Sequence, residues 1–485
     1  MSNNLRRLAL FLLAASMIEL TGCGLVVINR DKFSNDTTAS PAISTEVSTQ
    51  EPEDTVSAIE RDYTDAINQN LASIPDKDYT GSVFKITSPD VSSLSPDENL
   101  EFLSETAEER NKLVEKKHSI SIITSKVDYT ILYEEVNAAV KSGMYYSDLL
   151  MLSQELVGSF AAGGLIMNMR SLPGFDFDAT YLNQSSIGAA AGGFYSYAAA
   201  GYASIYPYSL PAVFFNRDLC TSAGVDPYNL VYSGDWTWDK FFETGIYASA
   251  LEDTFSWGSS SLGGAVCESA FYSIGYKMIN SGILTVPTLA FDADAAASAD
   301  AVLKRLYSDE YSLKTNLDSI SLFAEGKGLF QIEKLSAMTS LKDSKAQWGI
   351  IPLPKGGSAA SYISLSGTDS LMFSCPATVS TPEKSAIILM SLNAASEGVI
   401  RDAYINFIQY NYLRDNESAN MLEYIIDGAV YDFAYTFGGM YSAIADGTYN
   451  MIREAAESGE SLDSLINGRI TALDRVLQSN FGLAN

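Results

Sequence analysis

A single histidine, His118, limits the chemistry open to this chain. It stands in "EKKHSIS", the charged end of a helix leading into a strand, where a solvated position is expected. A Ser-His-Asp triad would have to use it, yet no Gly-x-Ser-x-Gly elbow presents a serine. There is no phosphate loop of the Gly-x-x-x-x-Gly-Lys-Ser/Thr form. "DADAAASAD" (292–300) lacks the glycine and terminal glutamate of a calcium loop and reads as an acidic helix start. Glycoside hydrolysis needs only two carboxylates at a set distance, and 59 acidic residues leave that chemistry open. Four cysteines without close spacing argue against a metal site or a disulfide framework. Cys220, Cys267 and Cys375 are expected as buried, inert thiols, with one disulfide left open. No metal and no cofactor are expected.

Binding makes different demands. Sugar rings rest their C–H faces on flat aromatic groups while their hydroxyls need fixed polar partners, and 28 Tyr and 4 Trp supply the platforms. Most aromatic residues belong to a core, and Trp236, Trp238 and Trp348 are read as structural: two at a helix start, one on a buried strand. The net charge of −28 is spread along the chain, which argues against nucleic acid or an anionic membrane surface as partner.

The elements that would hold such a site begin after an export signal. Arg6 and Arg7 precede an apolar run, Leu8 to Ile18, and then Leu20-Thr21-Gly22-Cys23. The run is too short to span a hydrocarbon core about 30 Å thick. Leu-Thr-Gly-Cys resembles the lipobox of bacterial lipoproteins, which implies a signal peptide over 1–22 and lipidation of Cys23. Residues 23–60, rich in Ser, Thr, Glu, Asp and Pro, read as a flexible tether. No later run of 18 apolar residues follows, and the remaining length predicts two lobes.

From Ser82 the pattern alternates. "SVFKITS" (82–88), "SISIIT" (119–124) and "SDLLML" (147–152) have strand composition. A helix opens at Ser95-Pro96-Asp97-Glu98 with Leu100, Leu103, Ala107 and Val114 at helical spacing; a second ends at Gly143; a third is "SQELVGSFAAGG". Strand-helix repetition predicts a mainly parallel sheet with ligands beyond the carboxyl ends of its strands. "YSLPAVFFN" and "WGIIPLP" are further strands, and the chain from about Lys384 reads as mostly helical.

Five segments, in order, resemble the carbohydrate-binding extracellular solute-binding proteins of ABC importers, the family related to maltose-binding protein. They are "YYSDLLMLSQELVGSFAAGGLIMNM", "IYPYSLPAVFFNRDLCTSAGVDP", "GDWTWDKFF", "FAEGKGLFQI" and "WGIIPLPKGG", and the resemblance covers roughly 80–485. It implies a two-lobed α/β fold of the periplasmic-binding-protein type, class II, with two or three segments crossing between lobes. Lobe 1 is expected over 80–205 plus 345–400, and lobe 2 over 206–344 plus 401–485. The function it implies is capture of a mono- or oligosaccharide by closure of the lobes and delivery to an ABC permease, by a monomer held at the outer face of the cell membrane through its lipid. A surface glycosidase and a receptor serving a membrane sensor are the alternatives. Ligand contacts are expected at Asp148 on a strand edge, Tyr206 and Tyr208 flanking Pro207 at the first crossing, and Trp257 in a loop before a helix. Glu333 after "GLFQI" and Tyr441 in the C-terminal helices complete the set; the family's usual aromatic is absent at Glu333.

Overall fold

The computed structural model describes residues 62–95, 101–205, 207–260, 265–290, 293–310, 312–316, 318–357 and 359–482. The expected signal, Cys23, the tether, the start of the first helix and Tyr206 lie outside them. Both sheets described below belong to one compact unit, Ala58–Asn485.

The first sheet grows from strand-helix units. β1 (Ser82–Ser88) is followed by α1 (Glu101–His118), β2 (Ile120–Lys126), α2 (Tyr129–Ser142), β3 (Leu149–Ser153) and α3 (Gln154–Ala162). β1 pairs in parallel with β2 on one side and β3 on the other. Local chemistry sets the ends of α2: the Asp128 carboxylate accepts from the Thr130 N–H, and Gly143 closes the helix at φ 66°, a conformation open to glycine. Leu132 and Val136 are buried beneath α2, and Leu103, Ala107 and Val114 beneath α1.

The second sheet is mixed. Its strands are β4 (Pro211–Asn216), β5 (Phe255–Ser259), β6 (Lys314–Thr315), β7 (Gly328–Lys334) and β8 (Trp348–Ile351), in the order β6-β5-β7-β4-β8. β5 runs parallel to both β6 and β7, whereas β4 runs antiparallel to β7 and β8. The carboxyl ends of β5 and β7 therefore lie on the same edge as the amino end of β4. α4 (Ala265–Ser273) leaves that edge after β5. The core beside the sheet is aromatic: Trp236, Trp238, Phe241 and Phe330 pack edge to face or stacked. The three tryptophans read as structural are buried, with indole N–H groups donating to Pro352 O (Trp236), Ser273 Oγ (Trp238) and Leu341 O (Trp348).

The chain then returns. β9 (Leu371–Ser374) adds antiparallel to β3, and α5 (Pro382–Ser396) packs beside the first sheet. The expected lobe boundaries need two corrections. Within 345–400, Trp348–Ile351 joins the second sheet, because its partner is β4, while Leu371–Ser374 joins the first. Within 401–485, α6 (Ile400–Asn411) serves both lobes: Ala403 and Tyr404 pack with Leu103 and Ala107 of α1, while Ile405, Phe407 and Ile408 share a core with Phe214 and Trp348 of the second sheet. α7 (Phe433–Phe437) and α8 (Tyr449–Ser458) belong to the core of the second lobe.

His118 also departs from the expectation of a solvated site. It is 0% exposed, with Nδ1 2.9 Å from Lys77 O and Nε2 2.8 Å from Ser391 Oγ of α5. Burial lowers its pKa from the ordinary value. The local charges disguised a position that α5 covers. Cys220, Cys267 and Cys375 are free and buried, and burial pushes the Cys267 and Cys375 thiols up to about 12.

Candidate ligand-binding cleft

The carboxyl end of β3 faces the edge of the second sheet formed by the ends of β5 and β7, and a cavity of about 270 Å³ lies between them. Topology places it where open α/β sheets hold ligands. Glu155 reaches it from the first turn of α3, directly after β3; Lys334 reaches it from the last residue of β7; Ser209 reaches it from the residues leading into β4. The first N–H groups of α3 are already engaged, Gln154 N–H donating to Ser370 O (2.8 Å) and Glu155 N–H to Thr368 O (3.1 Å). Two amides of the helix start are thus taken, and Glu155 offers the cavity a carboxylate.

The opposite wall comes from the second lobe. Tyr449 and Arg453, four residues apart on α8, share one face and both line the cavity, as do Tyr435 of α7 and Ser269 of α4. The guanidinium of Arg453 sits over the Tyr449 ring at 5.4 Å and pairs with Glu268 at 2.5 Å. Glu268 is fully buried, and the loss of water raises its pKa to about 7 against the pull of Arg453. Lys334 Nζ pairs with Asp369 at 3.0 Å. The wall therefore combines aromatic faces, hydroxyls and two paired cations, a set able to hold a small polar solute. A wider recess of about 530 Å³ abuts it, sharing Glu155 and Gly439 and bounded by Tyr133, Ser159 and Met440.

The lobes touch beside the cavity. Gln154 Nε2 of α3 donates to Asp432 O at 2.5 Å, and a Cβ on Gly158 would collide with the Thr436 carbonyl oxygen of α7. Glycine is what lets those two helices approach.

None of the five expected contact residues that the structure describes lines the cavity. Asp148 precedes β3 at its amino end, about 16 Å from the cleft at 3.3 Å per residue. Only 1% exposed, it accepts from Lys85 N–H (2.9 Å) and Tyr145 Oη (2.6 Å) and pairs with Lys384 at 3.1 Å. Tyr208 is half-buried against Tyr404, edge to face at 6.3 Å. Trp257 is not in a loop: it lies within β5, 1% exposed, its Nε1 without a hydrogen bond. Glu333 is 0% exposed and accepts from Ser260 Oγ (2.7 Å), the Ser260 N–H and Gln331 Nε2 (2.8 Å), tying down the turn after β5. Tyr441 packs edge to face on Phe481, two residues from the lining Gly439. Tyr206 lies outside the described residues.

The placement of these residues away from the cavity has a physical cause. Lys334 follows Glu333 on β7, where one residue reverses the face a side chain takes; Ser209 follows Tyr208 in a short 3-10 turn, Pro207–Ser209, which also points successive side chains in different directions. Glu155 was signalled by the rule that ligands sit beyond the carboxyl ends of strands, which Asp148 does not meet. Tyr449 and Arg453 carried only their i, i+4 spacing on a helix. Among the described residues there is no cluster of His, Cys, Asp or Glu that could hold a metal, and no helix long and apolar enough to cross a membrane.

Residues 111–410 match the bacterial extracellular solute-binding proteins, and the chain belongs to that family. No curated protein matches the sequence. Among solved structures, the cyclic alpha-maltosyl-1,6-maltose binding protein of Arthrobacter globiformis is similar at a TM-score of 0.56 and 13% identity, over 82% of this chain and 100% of that one. The GacH receptor of Streptomyces glaucescens, known unliganded and with acarbose, gives 0.51 and 16%, over 83% and 99%. UgpB of Mycobacterium tuberculosis, in complex with glycerophosphocholine, gives 0.51 and 16%, over 82% and 98%. At such identities the likeness is one of fold: two α/β lobes, the architecture of periplasmic solute-binding proteins.

Proposed function

We propose that this protein is the lipid-anchored solute receptor of an ABC importer, binding a mono- or oligosaccharide between its lobes without chemical change and handing it to the permease. The observation that carries the reading is the cavity bounded by Glu155 from one sheet and by Lys334 from the other. A solute touching both lobes stabilises the arrangement in which they meet, and its differential affinity for that arrangement drives closure. The inner cavity matches a single sugar ring, and the recess beyond Gly439 leaves room for a further unit. The carbohydrate ligands of the Arthrobacter and Streptomyces neighbours support that class. The expected lobe spans, with the corrections above, define the two moving bodies, and Cys23 is the anchoring residue.

Thermal unfolding against a panel of sugars, polyols and peptides tests this. A solute at 100 times its dissociation constant adds about 2.7 kcal/mol of stability. A shift with one sugar class and no product in the supernatant supports a receptor; turnover of the sugar replaces it with a hydrolase. Cys23→Ser should release the protein into the medium, and a variant that stays with the membrane removes the anchor from the proposal.

A further inference from the structure

The segments that cross between the lobes have a second face. Behind them lies a separate cavity of about 380 Å³, lined by Pro207 and Leu210 of the first crossing, Ser366 and Ser370 of the second, and Arg401 and Asp427 of the C-terminal helices. The two cavities stand back to back. Ser209 lines the cleft and Ser370 the rear cavity, and their hydroxyls meet at 2.6 Å, buried. Gly367 and Thr368 face the cleft, while Ser366 and Ser370 on either side of them face the rear. Any rotation of the lobes that widens the cleft must move the same residues that wall the rear cavity.

Its lining defines a ligand class. Tyr181, Tyr202 and Tyr431 contribute aromatic surface suited to the C–H face of a ring. Tyr431 Oη is already committed to Leu371 O at 3.3 Å, and Asn183 Nδ2 to Ala429 O at 3.1 Å. Arg401 Nη1 and Asp427 Oδ1, 2.8 Å apart, present donors and acceptors side by side, and with Asp402 and Glu423 also acting on Arg401 the site has no excess positive charge that would select an anion. Arg401 Nε is buried without a hydrogen bond, its near carboxylate at Asp402 standing 3.7 Å off.

We propose that the rear cavity is an effector site for a neutral polyhydroxylated ring, a sugar or cyclitol, whose occupancy biases the angle between the lobes and so the affinity of the cleft. The coupling rests on the cleft being the solute site. By linkage it is reciprocal: an effector that tightens the cleft is itself bound more tightly when the cleft is filled.

Calorimetric titration of the intact protein with glucose and with myo-inositol is the test, on the wild type and on Arg453→Ala, Tyr202→Ala and Arg401→Gln, each checked for cooperative unfolding. Arg453→Ala should still bind at least one probe, and adding Tyr202→Ala or Arg401→Gln should weaken that residual binding by about tenfold, the scale of a lost buried hydrogen bond or ring contact. If neither probe binds Arg453→Ala, or if the residual binding ignores both rear substitutions, the effector site is overturned. A single isotherm untouched by Arg453→Ala and abolished by Tyr202→Ala would keep the rear site but overturn the coupling and the reading of the cleft.

Discussion

The hydroxyls of Ser209 and Ser370 meet at 2.6 Å inside the protein, joining the first crossing to the second. Replacing Ser209 with Ala strands the Ser370 hydroxyl, at a cost of about 1–3 kcal/mol. Urea unfolding should find Ser209→Ala destabilised on that scale, and the Ser209→Ala/Ser370→Ala pair less destabilised than the sum. Strict additivity would mean that the two serines do not act as a pair.

Asp148 and Glu155 sit at opposite ends of β3, and their substitutions should separate stability from binding. Asp148→Asn leaves Lys384 buried and unpaired, which predicts a loss of about 3–5 kcal/mol with little change in solute affinity at temperatures where the variant is folded. Glu155→Gln should do the reverse, weakening solute binding by about tenfold while unfolding near the wild-type midpoint. Solute affinity that follows Asp148 and ignores Glu155 would place the site elsewhere.

Gly158 is predicted to control closure. Its replacement by Ala pushes a methyl group against the backbone carbonyl of Thr436, an overpacking cost of about 1–3 kcal/mol. That cost falls on the arrangement in which α3 meets α7. Small-angle scattering of Gly158→Ala should give a larger radius of gyration than the wild type, with weaker solute binding; wild-type values for both would remove this contact from the closing mechanism.

Glu268 makes stability depend on pH. Its folded pKa is raised from 4.5 to about 7, so between those values the native state holds a proton that the unfolded chain has lost. Stability from this group is present below about pH 4.5 and declines as pH rises through 7, by up to about 3 kcal/mol. Glu268→Gln should remove that decline from the wild-type stability profile. His118, whose pKa burial lowers, acts in the opposite sense: its contribution is present above the unfolded value of 6.5 and is lost as pH falls through the folded one. The difference between wild type and Glu268→Gln isolates the first effect, and parallel profiles would exclude it.

What the sequence determined by itself was local. The strand over Ser82–Ser88, the Gly143 helix end and the burial of Trp236, Trp238 and Trp348 follow from alternation, caps and apolar spacing, which act between near neighbours. The order of those elements, with five short motifs, was enough for the two-lobed fold and the family. The tertiary structure decided which residues surround the cavity. Whether Glu333 or Lys334 meets the cleft depends on the face β7 turns toward its neighbours, and Glu155 lines the cavity where Asp148 does not because the parallel pairing of β3 directs its carboxyl end, not its amino end, at the second lobe. His118 became buried because α5, more than 260 residues downstream, lies across it. Strand pairing and helix packing join groups far apart in the chain, and that long-range geometry brings Glu155, Lys334 and Arg453 around one cavity.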